Sequence, residues 1–180
     1  MAVILWRRSD GLGLERCVFE PTGDGHRIAG TVLLGAAGGP VEIRYSILVD
    51  AAWRTKTVGA HVQGPGNDRR LALNADGNGH WATGDDPIVD LYGAIDVAFS
   101  WTPATTTVAV NRLRLEPGDR AEAVAASIAY PGRDIRRLTM QYTRLAGGDY
   151  RCEIGNVAAD FTVDGDGTVV EHGAGWVAVD

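Results

Sequence analysis

The residue types that usually announce a cofactor or a reaction are scarce in this 180-residue chain. It has two cysteines, Cys17 and Cys152, far apart and outside any CxxC pair, so a thiolate metal site or redox motif has no support. Two free, buried thiols are expected, although separation in sequence leaves a pairing open in an exported protein. The histidines, His26, His61, His80 and His172, show no HxH, HxxxH or HExxH spacing, so no metal and no cofactor is expected. A P-loop, a dinucleotide fingerprint and a G-x-S-x-G elbow are missing too. No stretch approaches the ~20 apolar residues of a membrane span. The opening Met1–Trp6 is short and precedes Arg7-Arg8, the reverse of a signal peptide, which predicts a first strand in a cytoplasmic protein. A formal charge of -6 has the wrong sign for holding a polyphosphate, which argues against nucleic acid as a partner.

What is present is alternation. Val41, Ile43, Tyr45, Ile47 and Val49 interleave with Glu42, Arg44, Ser46, Leu48 and Asp50, the period-two pattern of a strand with one buried face. The 24 glycines against 7 prolines fall largely in turn clusters such as Asp76-Gly-Asn-Gly79, Pro117-Gly118-Asp119 and Asp164-Gly-Asp-Gly167, which supply hairpin geometry. Between the turns the better strand candidates are 15–20, 26–34, 41–50, 55–62, 94–102, 106–115, 123–130, 135–145, 150–154, 158–163 and 168–172. The alanine-rich stretch 119–129 keeps a period of two, and no window shows a 3.6-residue repeat. About twelve strands twist too much to stay flat and open. The sequence therefore predicts a mainly β fold with little helix: a large curved antiparallel sheet forming a half-barrel or open barrel, in a single β domain over residues 1–180. The concave face of such a sheet offers a mostly apolar cleft wherever side chains leave it unfilled.

Candidate chemistry is sparse. Asp96 lies between small neighbours, Ala94 and Ala98, and is either an exposed or arginine-paired carboxylate or a polar anchor for a ligand hydroxyl. Arg112 and Arg114 alternate with Leu113 and Leu115; outward cations are the simpler reading, bidentate recognition of a headgroup the sharper one. Of the five tryptophans, Trp6, Trp53, Trp81, Trp101 and Trp176, most belong in a core, with one or two available at a cleft mouth. Asp160, Asp164, Gly165 and Glu171 match positions of a calcium-binding EF-hand loop, but strand-like flanks favour a plain hairpin.

Read in order, several strings resemble the bacterial family called putative glycolipid-binding. They are Gly13-Leu14-Glu15 after Trp6, Tyr45–Asp50 with Trp53-Arg54, Asp96–Pro103, Asn111-Arg112-Leu113, Gln141-Tyr142, Tyr150-Arg151 with Glu153, and Val163–Gly167. The resemblance implies a curved antiparallel sheet similar to the half-barrels of bacterial lipoprotein carriers, and it carries over no catalytic residue. Ala98 stands where a second aspartate is usual in the family, and Arg112 supplies the matching cation. The leading expectation is a soluble, non-catalytic module that holds an amphiphilic small molecule, a glycolipid or similar, as a monomer or homodimer. Trp53, Asp96, Trp101, Arg112, Tyr142 and Tyr150 are its expected ligand-binding residues. Two alternatives come from other classes. One is a small-substrate hydrolase or isomerase using Asp50, Asp90 or Asp96 with a histidine such as His61. The other is an oligomerising structural β-protein whose edge strands pair.

Overall fold

The computed structural model describes residues 1–132, 134–173 and 175–179. Its strands, in chain order, are β1 (Ala2–Arg8), β2 (Gly13–Thr22), β3 (Gly25–Ala36), β4 (Gly39–Asp50), β5 (Thr55–Gly64), β6 (Asn67–Ala75), β7 (Trp81–Thr83), β8 (Asp86–Pro87), β9 (Asp96–Phe99), β10 (Arg120–Ile128), β11 (Ile135–Arg144), β12 (Tyr150–Ile154), β13 (Val157–Val163), β14 (Val169–His172) and β15 (Trp176–Ala178). All belong to one sheet in the spatial order β8-β7-β6-β5-β4-β3-β2-β1-β15-β14-β13-β12-β11-β10-β9. The chain runs outward to one edge, crosses over, and returns along the other side to seat β15 beside β1, with Trp6 opposite Ala178. Neighbours are antiparallel except β9, which lies parallel to β10.

The sheet curls without closing. Ile95, just before β9, accepts a hydrogen bond from the Thr55 amide at the start of β5 (3.2 Å), while β8 and β9 remain the two unpaired edges. This is the mainly β, curved open sheet that the alternation predicts. Along β4 the expected inward row of Val41, Ile43, Tyr45, Ile47 and Val49 is buried throughout. Trp6, Trp81, Trp101 and Trp176 are core residues, and both cysteines are free and buried. The EF-hand-like stretch is a turn between β13 and β14.

One element departs from expectation. Residues 106–115, read as a strand, lie mostly in the helix α1 (Ala104–Leu113). The Thr102 hydroxyl accepts the Ala104 amide (2.9 Å), and Pro103, at φ -78°, suits a first helical turn. At the far end Arg114 turns left-handed (φ 48°) and its amide closes onto the Val110 carbonyl at 3.0 Å. Its threonines and valines favour strands on propensity, but here they pack inside the curl. Ala104, Thr105, Thr107, Val108, Ala109 and Val110 are all buried. A helix buried on several sides carries no clean apolar stripe, so its period is invisible in the sequence. The helix is fixed to the returning strands by Thr107, whose hydroxyl accepts the Val169 amide at 3.0 Å. Strands β6, β7, β8 and β15 lie outside the predicted segments, and β9 is shorter than the predicted 94–102.

Candidate functional site

Small side chains on the returning half of the sheet leave room that the start of α1 does not fill. The result is a cavity of about 310 Å³, at the lower end of the ~300–1,000 Å³ found for ligand sites. Ala98 of β9, Ser127 of β10 and Ala159 of β13 contribute little volume, while Phe99, Met140 and Trp176 form larger apolar walls. Ile154 and Val157, opposite one another across the β12–β13 hairpin, are 40% and 71% exposed and mark the solvent side. Deep inside lies Tyr142, 2% exposed, whose hydroxyl donates to the Met140 thioether at a distant 3.9 Å and also meets the Cys152 thiol and the Thr106 hydroxyl.

Behind Tyr142 stands a buried ion pair. Arg112, in the last turn of α1, donates through Nε and Nη2 to the two carboxylate oxygens of Asp96 on β9, each at 2.7 Å. Asp96 is fully buried and the Arg112 side chain is 18% exposed. Burial pushes the Asp96 carboxyl up against the pull of Arg112. Desolvation pulls Arg112 down, and the bonds and charge of Asp96 more than offset that. With both fork bonds made, the pair stays ionised. Asp96 is therefore the arginine-paired carboxylate, and Arg112 the inward cation rather than an outward one. Arg112 also comes close enough for Tyr142 to bias its titration.

A second buried acid went unnoticed in the sequence. Glu15 of β2 is fully buried; its Oε1 accepts hydrogen bonds from the Tyr45 hydroxyl and from Thr102 Oγ1 (2.8 Å). Among the described residues its Oε2 has no hydrogen-bond partner. The Tyr45 hydroxyl also lies 3.3 Å from Cys17 Sγ. Burial pushes the Glu15 carboxyl up to about 7, opposed by the hydrogen bonds from Tyr45 and Thr102. Gly30 makes the Tyr45 position possible, because a Cβ there would sit 2.5 Å from the phenol ring. A signal was available: alternation along β2 puts Glu15 in phase with Cys17 and Phe19, so a charge stands in the apolar register. Thr102 joins the two places, since it bonds Glu15 and also lines the cavity.

Of the six residues expected to bind a ligand, Asp96, Arg112 and Tyr142 are brought together and Tyr142 lines the cavity. The others lie apart. Trp53 stacks on His26 at 4.2 Å, Trp101 on Phe99 at 4.4 Å, and Tyr150 on Phe161 at 5.4 Å. Trp101 Nε1 is buried without a partner among the described residues, but in a crevice of about 20 Å³ away from the main cavity. The groups of the hydrolase reading hold separate partners: His61 pairs with Asp68 at 2.8 Å, and Asp50 accepts the Ala52 and Arg54 amides at 2.9 Å each. Ser127, Thr106, Met140, Cys152, His172 and Trp176 line the cavity and were not singled out from sequence as a site.

The model of the family described as "Putative glycolipid-binding" matches residues 3–177. The chain belongs to this family. Among solved structures, the glycolipid-binding family member is similar to a protein of the DUF1089 family from Pseudomonas aeruginosa, at 29% identity and a TM-score of 0.80, over 92% of this chain and 91% of that one. No curated protein matches the sequence. Among the described residues no helix is long and apolar enough to cross a membrane.

Proposed function

We propose that this protein is a non-catalytic binding module that takes part of an amphiphilic small molecule, of the glycolipid kind its family is described by, into the cavity between α1 and strands β9 to β13. The observation that carries this reading is the cavity itself: about 310 Å³, walled mainly by apolar side chains and bordered by the exposed pair Ile154 and Val157. Such a space inside a curled sheet gives an apolar chain more contact than water does. At ~0.8 kcal/mol per methylene removed from water, ten methylenes contribute about 8 kcal/mol before ordering costs. Of the nominated polar residues, Tyr142 touches the ligand, and Asp96 with Arg112 fixes the wall behind it.

The test uses N-phenyl-1-naphthylamine, a neutral dye that brightens in apolar surroundings. The expected result is saturable, one-to-one brightening that monoacylated glycolipids reverse and that Ser127→Leu, which fills the cavity, abolishes. Brightening that never saturates, or that survives in the filled variant, would count against the reading.

A further inference from the structure

At the β12–β13 hairpin the solvent side of the cavity is apolar, whereas its depth carries hydroxyls; Ser100, Thr106 and Ser127 lie elsewhere in the wall. Ile154 and Val157 stand at the exposed end, whereas Tyr142 and Thr102 are buried. Thr102 is already committed to Glu15 and to the Ala104 amide. Tyr142 has weaker partners: the Met140 thioether at 3.9 Å, with the Cys152 thiol and the Thr106 hydroxyl beside it, and sulfur is a poor acceptor. From this arrangement, and resting on the binding function proposed above, we infer that the ligand enters head first, presenting an uncharged hydrogen-bonding group, an alcohol, ester or amide, to the Tyr142 hydroxyl, with its chain running out over Ile154 and Val157.

Charge is excluded by the lining. Among the described residues around the cavity there is no Lys, Arg, Asp or Glu. Burial pulls His172 below the usual histidine range, and burial raises Tyr142 and Cys152, so all three are neutral near pH 7. Arg112 is held by both oxygens of Asp96 and has no charge to spare for a carboxylate or phosphate. An anionic head would lose its water for nothing of opposite sign.

The experiment displaces N-phenyl-1-naphthylamine with ligands of one chain length: 1-decanol, decanamide, methyl decanoate, decanoate and decyl phosphate. The three neutral compounds are expected to bind at least tenfold more tightly than the two anions. Tyr142→Phe, checked for an unchanged near-ultraviolet circular dichroism spectrum, is expected to weaken decanamide about five- to tenfold more than it weakens the dye. Ser127→Ala, in the wall but away from the Tyr142 hydroxyl, gives a second variant in which that preference for neutral heads persists. Anions that bind as well as decanol, or an amide affinity indifferent to Tyr142→Phe, overturn the head-first inference and leave the binding module standing. A dye that does not bind saturably overturns both.

Discussion

From β2 to β5 the strands run ten to twelve residues and point Phe19, Val32, Ile43, Ile47 and Val58 into a continuous core. From β9 to β13 the same alternation points Ala98, Ser127, Cys152 and Ala159 inward, and part of the interior stays empty. Both halves use one sheet, one pleat and nearly one pairing mode. What separates core from container is the volume of the inward side chains, because a curled sheet sets a fixed width that small residues do not span. The contrast extends to electrostatics. The filled half traps an acid, Glu15, against Tyr45 and Cys17 with no cation, while the acid of the hollow half, Asp96, is paired with Arg112 behind a lining without charged side chains among the described residues.

The largest test of this contrast is a pair of truncations. Ile43→Ala removes a fully buried side chain from the packed half and is expected to cost about 2–5 kcal/mol in urea unfolding. Leu138→Ala removes a half-buried side chain that already borders empty space, so fewer contacts are lost; about 1 kcal/mol is expected. Equal costs would mean that the hollow half is as tightly filled as the other.

Glu15 sharpens the electrostatic side. Its folded value, about 7, lies above the ordinary 4.5. The folded state therefore holds the proton more tightly, and the associated stability is fully present below pH 4.5 and lost as pH rises through 7. At 1.36 kcal/mol per unit the loss is about 3 kcal/mol. His172, shifted downward by burial, works in the opposite sense across part of that range, gaining stability as pH rises toward its unfolded value. Because His172 is common to both proteins, the difference between wild type and Glu15→Gln isolates Glu15. The variant is expected to gain about 3 kcal/mol relative to wild type between pH 4.5 and pH 7.5 in urea titrations. A difference that does not change with pH would place an ionised Glu15 in the folded protein and remove the trapped acid from the account.

The two halves were also unequally legible. The row on β4 was plain, since large apolar residues in strict alternation leave one arrangement. Strands such as β10, where Ala121, Ala123 and Ala125 alternate with Glu122 and Val124, gave the correct period but concealed the hollow, because alternation does not say how far across the interior a side chain must reach. The helix was hidden by its burial, although Thr102-Pro103 is a helix-start signal that outranked the strand propensity of Thr105, Thr107 and Val108. Asp96 and Arg112 were both singled out, yet their pairing depends on α1 being a helix, so misreading one element separated two residues that the fold joins. Glu15 was legible in principle from its register. Tyr142 stands out through the family resemblance alone, and nothing in its local sequence distinguishes it from the core tyrosine Tyr45.

The smallest effect on stability is expected from filling the hollow. Ser127 is half-buried on β10, and its hydroxyl lies in the cavity wall. Ser127→Leu adds apolar volume where the structure has space for it, so the strain that overpacking brings to a dense core, typically 1–3 kcal/mol, does not apply. Burial of the new methyl groups offsets the loss of a wall hydroxyl, and the midpoint of urea unfolding is expected to move by less than about 1 kcal/mol. The comparison is Gly30→Ala in the filled half, where one added carbon meets the Tyr45 ring at 2.5 Å and the full overpacking cost is expected. If the larger substitution at Ser127 is tolerated while the smaller one at Gly30 is not, interior volume and not alternation distinguishes the two halves. A Ser127→Leu protein as destabilised as Gly30→Ala would show that the space is closed by motion in solution, and a container that closes in this way has no room for the ligand assigned to it.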